Sequence, residues 1–448
     1  MRSFNSLRGV SRRKFLKLLS LGLASYGMVG PRVAKADLSI PGGGETNAPR
    51  VLIILEMLGG CDNLGLALPT DSERLSLLQT IRGNAIYDSE VVNLHGYGIP
   101  MALHPSFAPL LPHFDHLRIT QNIGHATHTS SNGSHENMQL RMALGGVGSD
   151  TNNIGTVGRM YDAVSDLEVI GFRPSEGVNF NCQSEKCQIH KPPVFDVYET
   201  FTLSGEYFSS SQGGSNNAAH VAKVLRDLSD LPPPEGASAR ELEYRESFRG
   251  VFPVIDEIQT TLTQHQTALH DSYPSTSLAN KFRNIASTVL RWKREERTMP
   301  AVFVLGTGGF DVHQSWQTSM SNALSPIADA LRVFCDDMIA EDLFENIVVT
   351  TMTEFGRQLA WNGYGTDHGR AFHALTIGGR INGGTNAVFG NTISAADISS
   401  NVFWEIERDS RSLLSEIVEN HLLLDPLTTA YPGVLGTQFT RESYGLFI

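Results

Sequence analysis

The stretch RVLIILEM, residues 50–57, ends just before the glycine pair Gly59-Gly60. A continuous apolar run of this kind is typical of a β-strand that is buried on both faces of a parallel sheet. Three similar runs follow at Ala301–Leu305 (AVFVL), Ile347–Met352 (IVVTTM) and His373–Gly378 (HALTIG). We therefore expect four buried strands at the centre of an α/β fold.

A helix is predicted between the second and third of these strands. Apolar residues recur every three or four positions between Trp316 and Glu341, for example at Leu324, Ile327 and Leu331. A strand, a helix and a second strand in this order form a βαβ crossover, which requires a parallel sheet.

Composition and charge limit the class of protein. The chain has 448 residues, of which 41% are hydrophobic and 18% charged, so it can bury a sizeable core and is not wholly disordered. The net charge of −12 argues against nucleic-acid binding, because phosphate contacts need clustered cations. We expect no nucleic-acid partner.

The first 36 residues carry eight Lys and Arg and no acid, and they contain SRRKFLK at residues 11–17. A modestly apolar run, Phe15–Gly30, and the small-x-small pattern Ala34–Ala36 follow. We interpret residues 1–36 as a twin-arginine signal peptide, with an amphipathic basic helix or an uncleaved anchor as alternatives. The twin-arginine translocase is then a partner during export, and the protein is periplasmic or otherwise exported. No later segment has 18 uncharged apolar residues, so no stable membrane span is expected.

Residues 37–448 are predicted to form one α/β domain. Within it, residues 219–298 are rich in charge and helical spacing, and we interpret them as a helical insertion or cover.

The four cysteines divide into two pairs by context. Cys182 and Cys187 lie in a polar stretch and are expected to form a loop disulfide, with a metal knuckle as the alternative. Cys61 and Cys335 have apolar neighbours and are expected to be buried thiols.

Carboxylates and histidines follow the predicted strands, at or shortly after the point where each strand ends. These residues are Asp62, Asp311, His313, Glu354, Asp367 and His368. Since the carboxyl ends of parallel strands share one edge of a sheet, we expect these side chains to converge there. Converging carboxylates repel each other, and a divalent metal ion (zinc, manganese, magnesium or calcium) relieves the repulsion. Alternatively, the carboxylates cap helices, the histidines are merely exposed, and Arg357 neutralises part of the charge.

Ser134 and His135 form a further candidate pair at the start of an apparent helix, ENMQLRMAL. A hydroxyl at a helix N-terminus is either an N-cap or a nucleophile placed where backbone N–H groups stabilise an anion. Position alone favours the cap.

The absence of three catalytic motifs argues against three common classes of enzyme. The sequence lacks the G-x-S-x-G elbow of α/β-hydrolases, the P-loop of nucleotide-binding enzymes and the H-E-x-x-H motif of zinc proteases.

Several short motifs, in this order, resemble those of the DUF1501 family. They are GG-x-D-N after the first strand, LHP at residues 103–105, SH at residues 134–135, GR-x-x-D at residues 158–162, GFDVH, EFGR and GTDHG. That family is placed in the alkaline-phosphatase-like superfamily, which includes the sulfatases. The resemblance implies a doubly wound, mostly parallel sheet in a three-layer α/β/α sandwich with a metal site at the strand carboxyl ends.

The resemblance also implies roles for individual residues. Metal ligands would be Asp62, the pair Asp311 and His313, Glu354, and His368 with Asp367 beside it; Ser134 and His135 would be catalytic, and Arg357 would hold substrate oxygens. The sequence departs from the superfamily in the close spacing of Asp311 and His313 and in the single carboxylate, Glu354, where an Asp-His pair is usual. These departures weaken the case for two metal ions.

Three functions fit these observations. The first is a metal-dependent hydrolase or transferase acting on a phosphate, sulfate or related small ester. The second is a non-catalytic binding or assembly protein that keeps the fold and contacts a surface polysaccharide or a protein. The third is a cofactor protein that uses the histidine-rich stretch between His95 and His135.

Overall fold

The structure is a computed structural model that describes residues 48–83, 91–126, 128, 133–146, 153–173, 177–189, 191–198, 224, 226–400 and 403–448. The predicted signal peptide, residues 1–36, lies outside the described residues. So do residues 219–223 and 225 at the start of the predicted helical insertion.

Strands and helices alternate along much of the described chain. The strands are β1 (Val51–Met57), β2 (Ala67–Pro69), β3 (Val92–Asn93), β4 (Met101–Leu103), β5 (Leu117–Gly124), β6 (Glu168–Phe172), β7 (Val194–Phe195), β8 (Ala301–Thr307), β9 (Ile347–Met352), β10 (Phe372–Gly378), β11 (Val388–Phe389) and β12 (Arg408–Asp409). The α-helices are α1 (Asn63–Leu66), α2 (Ser72–Arg82), α3 (His135–Leu144), α4 (Thr156–Ala163), α5 (Glu185–Ile189), α6 (Ala239–Gln264), α7 (Ser277–Arg294), α8 (Trp316–Ala340), α9 (Ala395–Ser400) and α10 (Ser410–Asn420). Short 3-10 helices cover His95–Tyr97, Pro105–His116, Val178–Phe180, His270–Ser272, Phe344–Asn346 and Gly384–Asn386.

The central sheet has the strand order β11-β5-β10-β9-β1-β8-β6-β7, with β12 beside β5. Strand β1 lies between β8 and β9 and is parallel to both, so that Val51 pairs with Ala301 and with Ile347. The prediction that these three strands are parallel neighbours is confirmed. Helix α8 makes the predicted crossover from β8 to the region of β9.

Strand β10 corrects one expectation, because it is antiparallel to both β9 and β5. A parallel return needs a crossover of a dozen or more residues, usually a helix, on one face of the sheet. The connection of residues 353–371 contains no helix and comes back along the same edge. As a result, the residues just before β10 lie at the carboxyl end of β9.

The two faces of β1 belong to different cores, which explains its unbroken apolar sequence. Val51 and Ile53 pack in a cluster that includes residues of α7 and α8, whereas Leu52 and Ile54 pack in a cluster that includes residues of α4 and α10. Helices therefore cover both faces of a mostly parallel sheet, and the predicted α/β class is confirmed.

The predicted helical stretch contains α6 and α7, and α7 buries one face in the core. In the described part of the chain, no helix combines the length and the apolar character that crossing a membrane requires. Cys182 and Cys187 form a disulfide with 5.8 Å between their Cα atoms, as expected. Cys61 and Cys335 are free and buried, and burial raises the pKa of both thiols.

Candidate metal centre

The loops after β1 and β8 lie against each other at the carboxyl edge of the sheet. Gly59 has φ +120°, and a Cβ atom there would be 2.4 Å from the backbone nitrogen of Asp311. A side chain at this position would push the two loops apart, so glycine permits their close approach. This contact brings Asp311 towards the end of β1.

Three histidine rings converge on the Asp311 carboxylate. The Nε2 atoms of His135, His313 and His368 lie 3.4, 3.1 and 3.5 Å from Asp311 Oδ1. The Nε2 atoms of His313 and His368 are also 3.1 Å apart. His135 starts α3, His313 follows β8, and His368 precedes β10, so three separate parts of the chain supply the rings.

Each ring has a hydrogen-bond acceptor at its other nitrogen. The Nδ1 atom of His135 is 2.8 Å from Glu354 Oε1, that of His313 is 3.1 Å from Asp367 Oδ1, and that of His368 is 3.0 Å from the Gly133 carbonyl oxygen. Carboxylates and carbonyl oxygens only accept, so in a neutral ring Nδ1 donates and Nε2 keeps a lone pair. Partners of this kind orient the histidine ligands of metal sites.

The Nε2 atoms of His313 and His368 are close enough to favour a positive charge beside them, and Arg357 Nη1, 3.5 Å from His313 Nε2, supplies part of it. Two lone pairs 3.1 Å apart repel each other when neither ring carries a proton between them. Two ligand atoms on one tetrahedral zinc ion, each about 2.0–2.1 Å from it, are about 3.3 Å apart. The ligand atoms of His135, Asp311 and His368 all lie within 4.8 Å of one another, and the Nε2 atom of His313 is a fourth candidate.

The ionisation states suit a cation. Partial burial opposes ionisation of Asp311, but the hydrogen bond and charge of Arg357, with His313 and His135, lower its pKa overall. Partial burial is the main cause of the lowered pKa of His368, and the charge of Arg357 adds to it. At neutral pH the centre thus offers an anionic carboxylate and a neutral imidazole.

Glu354 lies at the cluster, but its oxygens are occupied by protein donors. Oε1 accepts hydrogen bonds from Gly59 N, His135 Nδ1 and Gln139 Nε2, and Oε2 accepts one from Thr353. This corrects the expectation of a direct ligand: Glu354 instead holds His135.

Asp367 has the same relation to His313. Its Oδ1 accepts from His313 Nδ1 and Asn362 Nδ2, and the Asn362 hydrogen bond is the first cause of its lowered pKa. The contacts therefore assign Asp367, like Glu354, to the support of a ring rather than to direct ligation.

Asp62 takes no part in this cluster among the described residues. Its Oδ2 accepts hydrogen bonds from Arg82 Nη1 and Trp316 Nε1, both at 2.7 Å, and its Oδ1 accepts from Leu64 N at the start of α1. The expectation that Asp62 ligates a metal is corrected, because a buried guanidinium already compensates its charge.

Arg357 is fully buried, and all three of its guanidinium nitrogens donate to the protein. Its partners are the carbonyl oxygens of Gly59, Gly60, Phe310 and Thr366, the Asp311 carboxylate and, at 3.5 Å, His313 Nε2. This corrects the expectation that Arg357 holds substrate oxygens, since it ties the loops after β1, β8 and β9 together. The alternative that Arg357 neutralises part of the charge fits its contact with Asp311.

Ser134 is the N-cap of α3, which is the role that its position in the sequence favoured. Its Oγ accepts a hydrogen bond from Asn137 N at 3.2 Å, and its side chain is exposed. No histidine or carboxylate in the described residues hydrogen bonds to this Oγ. The neighbouring His135 lies in the cluster with the ring geometry of a ligand, a role that its position next to Ser134 did not indicate.

A second group, Asp162 with Cys182 and Cys187, brings together atoms that a metal could use. The two sulfurs form the disulfide, and the Asp162 carboxylate accepts from the backbone N–H groups of Gln183 and Ser184. These contacts leave no thiolate for the metal knuckle considered above.

The fold and the site define an α/β protein with a histidine–aspartate cluster at the carboxyl edge of its sheet. The model of the DUF1501 family, described as a protein of unknown function, matches residues 205–414, which confirms the family resemblance. That range includes Asp311, His313, Glu354, Asp367 and His368. No curated protein matches the chain.

Several solved structures resemble the fold at low identity. The soluble domain of lipooligosaccharide phosphoethanolamine transferase A from Neisseria meningitidis has 10% identity and a TM-score of 0.32, over 83% of this chain and 87% of that one. The alkaline phosphatase of the Antarctic bacterium TAB5 has 9% identity and a TM-score of 0.28, over 80% and 97%. A crystal structure of Ps i-CgsB has 8% identity and a TM-score of 0.32, over 79% and 70%. Likeness at these values carries no argument about activity.

Proposed function

We propose that this protein is an exported, metal-dependent hydrolase or transferase that acts on a phosphate, sulfate or related ester. The observation that carries the proposal is the convergence of three Nε2 atoms on Asp311 Oδ1, with an acceptor at every Nδ1. Acceptors at all three Nδ1 atoms favour the tautomer in which each Nε2 atom faces the shared centre as a possible ligand.

The donor set favours a transition-metal ion. Imidazole nitrogens with one carboxylate suit zinc and its neighbours in the first transition row, whereas magnesium and calcium prefer oxygen ligands. Of the four ions considered from the sequence, zinc fits these residues best, followed by manganese.

A divalent ion at this centre would polarise an ester oxygen and lower the pKa of a water molecule. The residues of the chain hold the ligands in place. Glu354 and Asp367 keep His135 and His313 oriented, and Arg357 fixes Asp311. The side chains of Asp311 and His313 are 51% and 43% exposed, so a small ester in solvent can reach the cluster.

One observation favours the second candidate function, a non-catalytic binding or assembly protein. Ser134 is engaged as a helix cap, and Arg357 is buried away from solvent. The two residues expected to attack and to hold an ester therefore have other roles. A surface polysaccharide or a protein could bind such a centre through the metal alone.

Metal analysis and turnover separate the two candidates. Residues 37–448, the predicted mature chain, would be purified and analysed for bound metal, then tested on aryl phosphate, phosphodiester and sulfate esters. We expect stoichiometric zinc or manganese, and ester turnover that a chelator abolishes. Bound metal without turnover on any ester class would favour the binding protein, and absence of bound metal after incubation with each ion would contradict the proposal.

The variant Asp311→Asn tests the role of the cluster. It keeps the shape of the side chain but removes the charge on which the rings converge, so we expect loss of both metal and turnover. Asp336→Asn is a matched control, because Asp336 also contacts a histidine, His113, but does so on α8 away from this edge.

A further inference from the structure

The carboxyl edge of the sheet holds a buried guanidinium next to a buried carboxylate. The side chains of Arg82 and Asp62 have no exposed surface, and Arg82 also donates to the carbonyl oxygens of Gln358 and Leu359. A metal ion could bind Asp62 only by displacing this guanidinium and the Trp316 indole. Displacement would leave a buried positive charge without its carboxylate, which is costly.

A second guanidinium lies closer to the histidines. The oxygens around Arg357 belong to Gly59, Gly60, Phe310, Thr366 and Asp311. Oxygens gathered in this way are typical ligands of a hard cation. Here the side chain of Arg357 fills that environment.

From these contacts we propose that the centre takes one divalent ion per chain, and that Arg82 and Arg357 replace any further ion at this edge. The inference rests on the proposed function in one respect, that a metal binds at all. Asp62 and Arg82 cancel in charge, and Arg357 opposes Asp311, Glu354 and Asp367, giving one positive and three negative charges, or −2. With neutral histidines, one divalent ion balances this charge, and a second would leave an excess of +2.

Native mass spectrometry and elemental analysis of the mature chain, loaded with excess zinc and then desalted, test the stoichiometry. We expect one zinc per chain in the unaltered protein. The variant Asp62→Asn, checked for folding by circular dichroism, should keep that zinc, whereas Asp311→Asn should lose it.

Two zinc ions per chain would overturn the inference and leave the proposed function standing. Loss of zinc from folded Asp62→Asn would also overturn it, because Asp62 would then be a ligand. If Asp62→Asn fails to fold, the count on the unaltered protein still decides. A protein that binds no zinc would refute the proposed function and this inference together.

Discussion

Replacement of Glu354 by Gln tests whether a carboxylate behind His135 sets the strength of metal binding. Glu354 Oε1 accepts from His135 Nδ1 at 2.8 Å and from Gly59 N at 2.9 Å. Gln keeps an acceptor oxygen of the same shape and can turn its amide towards Thr353. The variant therefore removes the negative charge, keeps an acceptor for Gly59 N and His135 Nδ1, and reverses the hydrogen bond with Thr353, which donates to Glu354 Oε2 in the unaltered protein.

The expected effect follows from the loss of that charge. Partners of metal-bound histidines typically contribute 10–100-fold to affinity, so we expect Glu354→Gln to raise the dissociation constant by about 10–100-fold, or roughly 1.4–2.7 kcal/mol. Glu354→Ala should be worse, because it leaves Gly59 N and His135 Nδ1 without an acceptor, at about 1–3 kcal/mol of stability each.

Competition against a zinc-binding dye measures the affinity, and thermal unfolding followed by circular dichroism measures the stability. Glu56→Gln is the matched control: Glu56 is also a carboxylate at the end of β1, but it contacts Arg173 and Asn179. If Glu354→Gln binds zinc as tightly as the unaltered protein, or loses no more affinity than Glu56→Gln, the assignment of Glu354 to His135 is refuted.

Three other predictions concern the rest of the chain. Replacing Arg12 and Arg13 together by Lys should hold the precursor in the cytoplasm, and normal amounts of exported mature protein on immunoblots would contradict the signal-peptide interpretation. Cys182→Ser with Cys187→Ser should lower the free energy of unfolding by about 2 kcal/mol, as expected for a short disulfide loop. Denaturant titration measures the loss, and equal stability with free thiols in peptide maps of the exported protein would contradict it. Burial lowers the pKa of His373 from 6.5 to about 4, so the unfolded chain binds this proton more readily and stability falls as the pH drops through that range. Urea titrations of the unaltered protein and of His373→Gln should show that this residue accounts for roughly 2 kcal/mol of the loss between about pH 7 and about pH 5, and identical pH profiles would contradict this.

The sequence predicted the frame of the site because unbroken apolar runs have one main explanation in an α/β protein. The strands at Val51, Ala301 and Ile347 were expected to be parallel neighbours, and they are. The order of polar residues after those strands then predicted that Asp311, His313 and His368 lie near one another. A shared sheet edge was sufficient for that inference.

Which of these residues are ligands and which support the ligands could not be predicted in the same way. Asp62 and Asp311 both follow a glycine-containing turn at a strand end, and they differ in their tertiary contacts: Asp62 is buried against Arg82 and Trp316, whereas Asp311 is half exposed beside the histidines. Nothing in the sequence pairs Arg82 with Asp62 across 20 residues, or Arg357 with carbonyl oxygens about 300 residues away. His135 was predicted to be catalytic with Ser134 rather than to be a metal ligand, although a histidine in the first turn of a helix was a usable signal.

The antiparallel direction of β10 was also not predicted, because an apolar run does not indicate whether a strand is parallel or antiparallel to its neighbours. The length of the connection and the absence of a helical pattern between Glu354 and His368 would have indicated an antiparallel return.

The origin of the ligands has a consequence for biogenesis. Gly133, which holds His368, is 235 residues from it in the sequence, and Asp311 and His313 come from a third part of the chain. A nascent chain contains the whole centre only once it has passed His368, so tight metal capture requires most of the chain to be made and folded. The twin-arginine route carries folded proteins, so if the protein takes this proposed route, we expect the ion to be acquired in the cytoplasm, before translocation. The metal found in the exported protein would then reflect which ions the cytoplasm supplies, rather than those abundant at its destination.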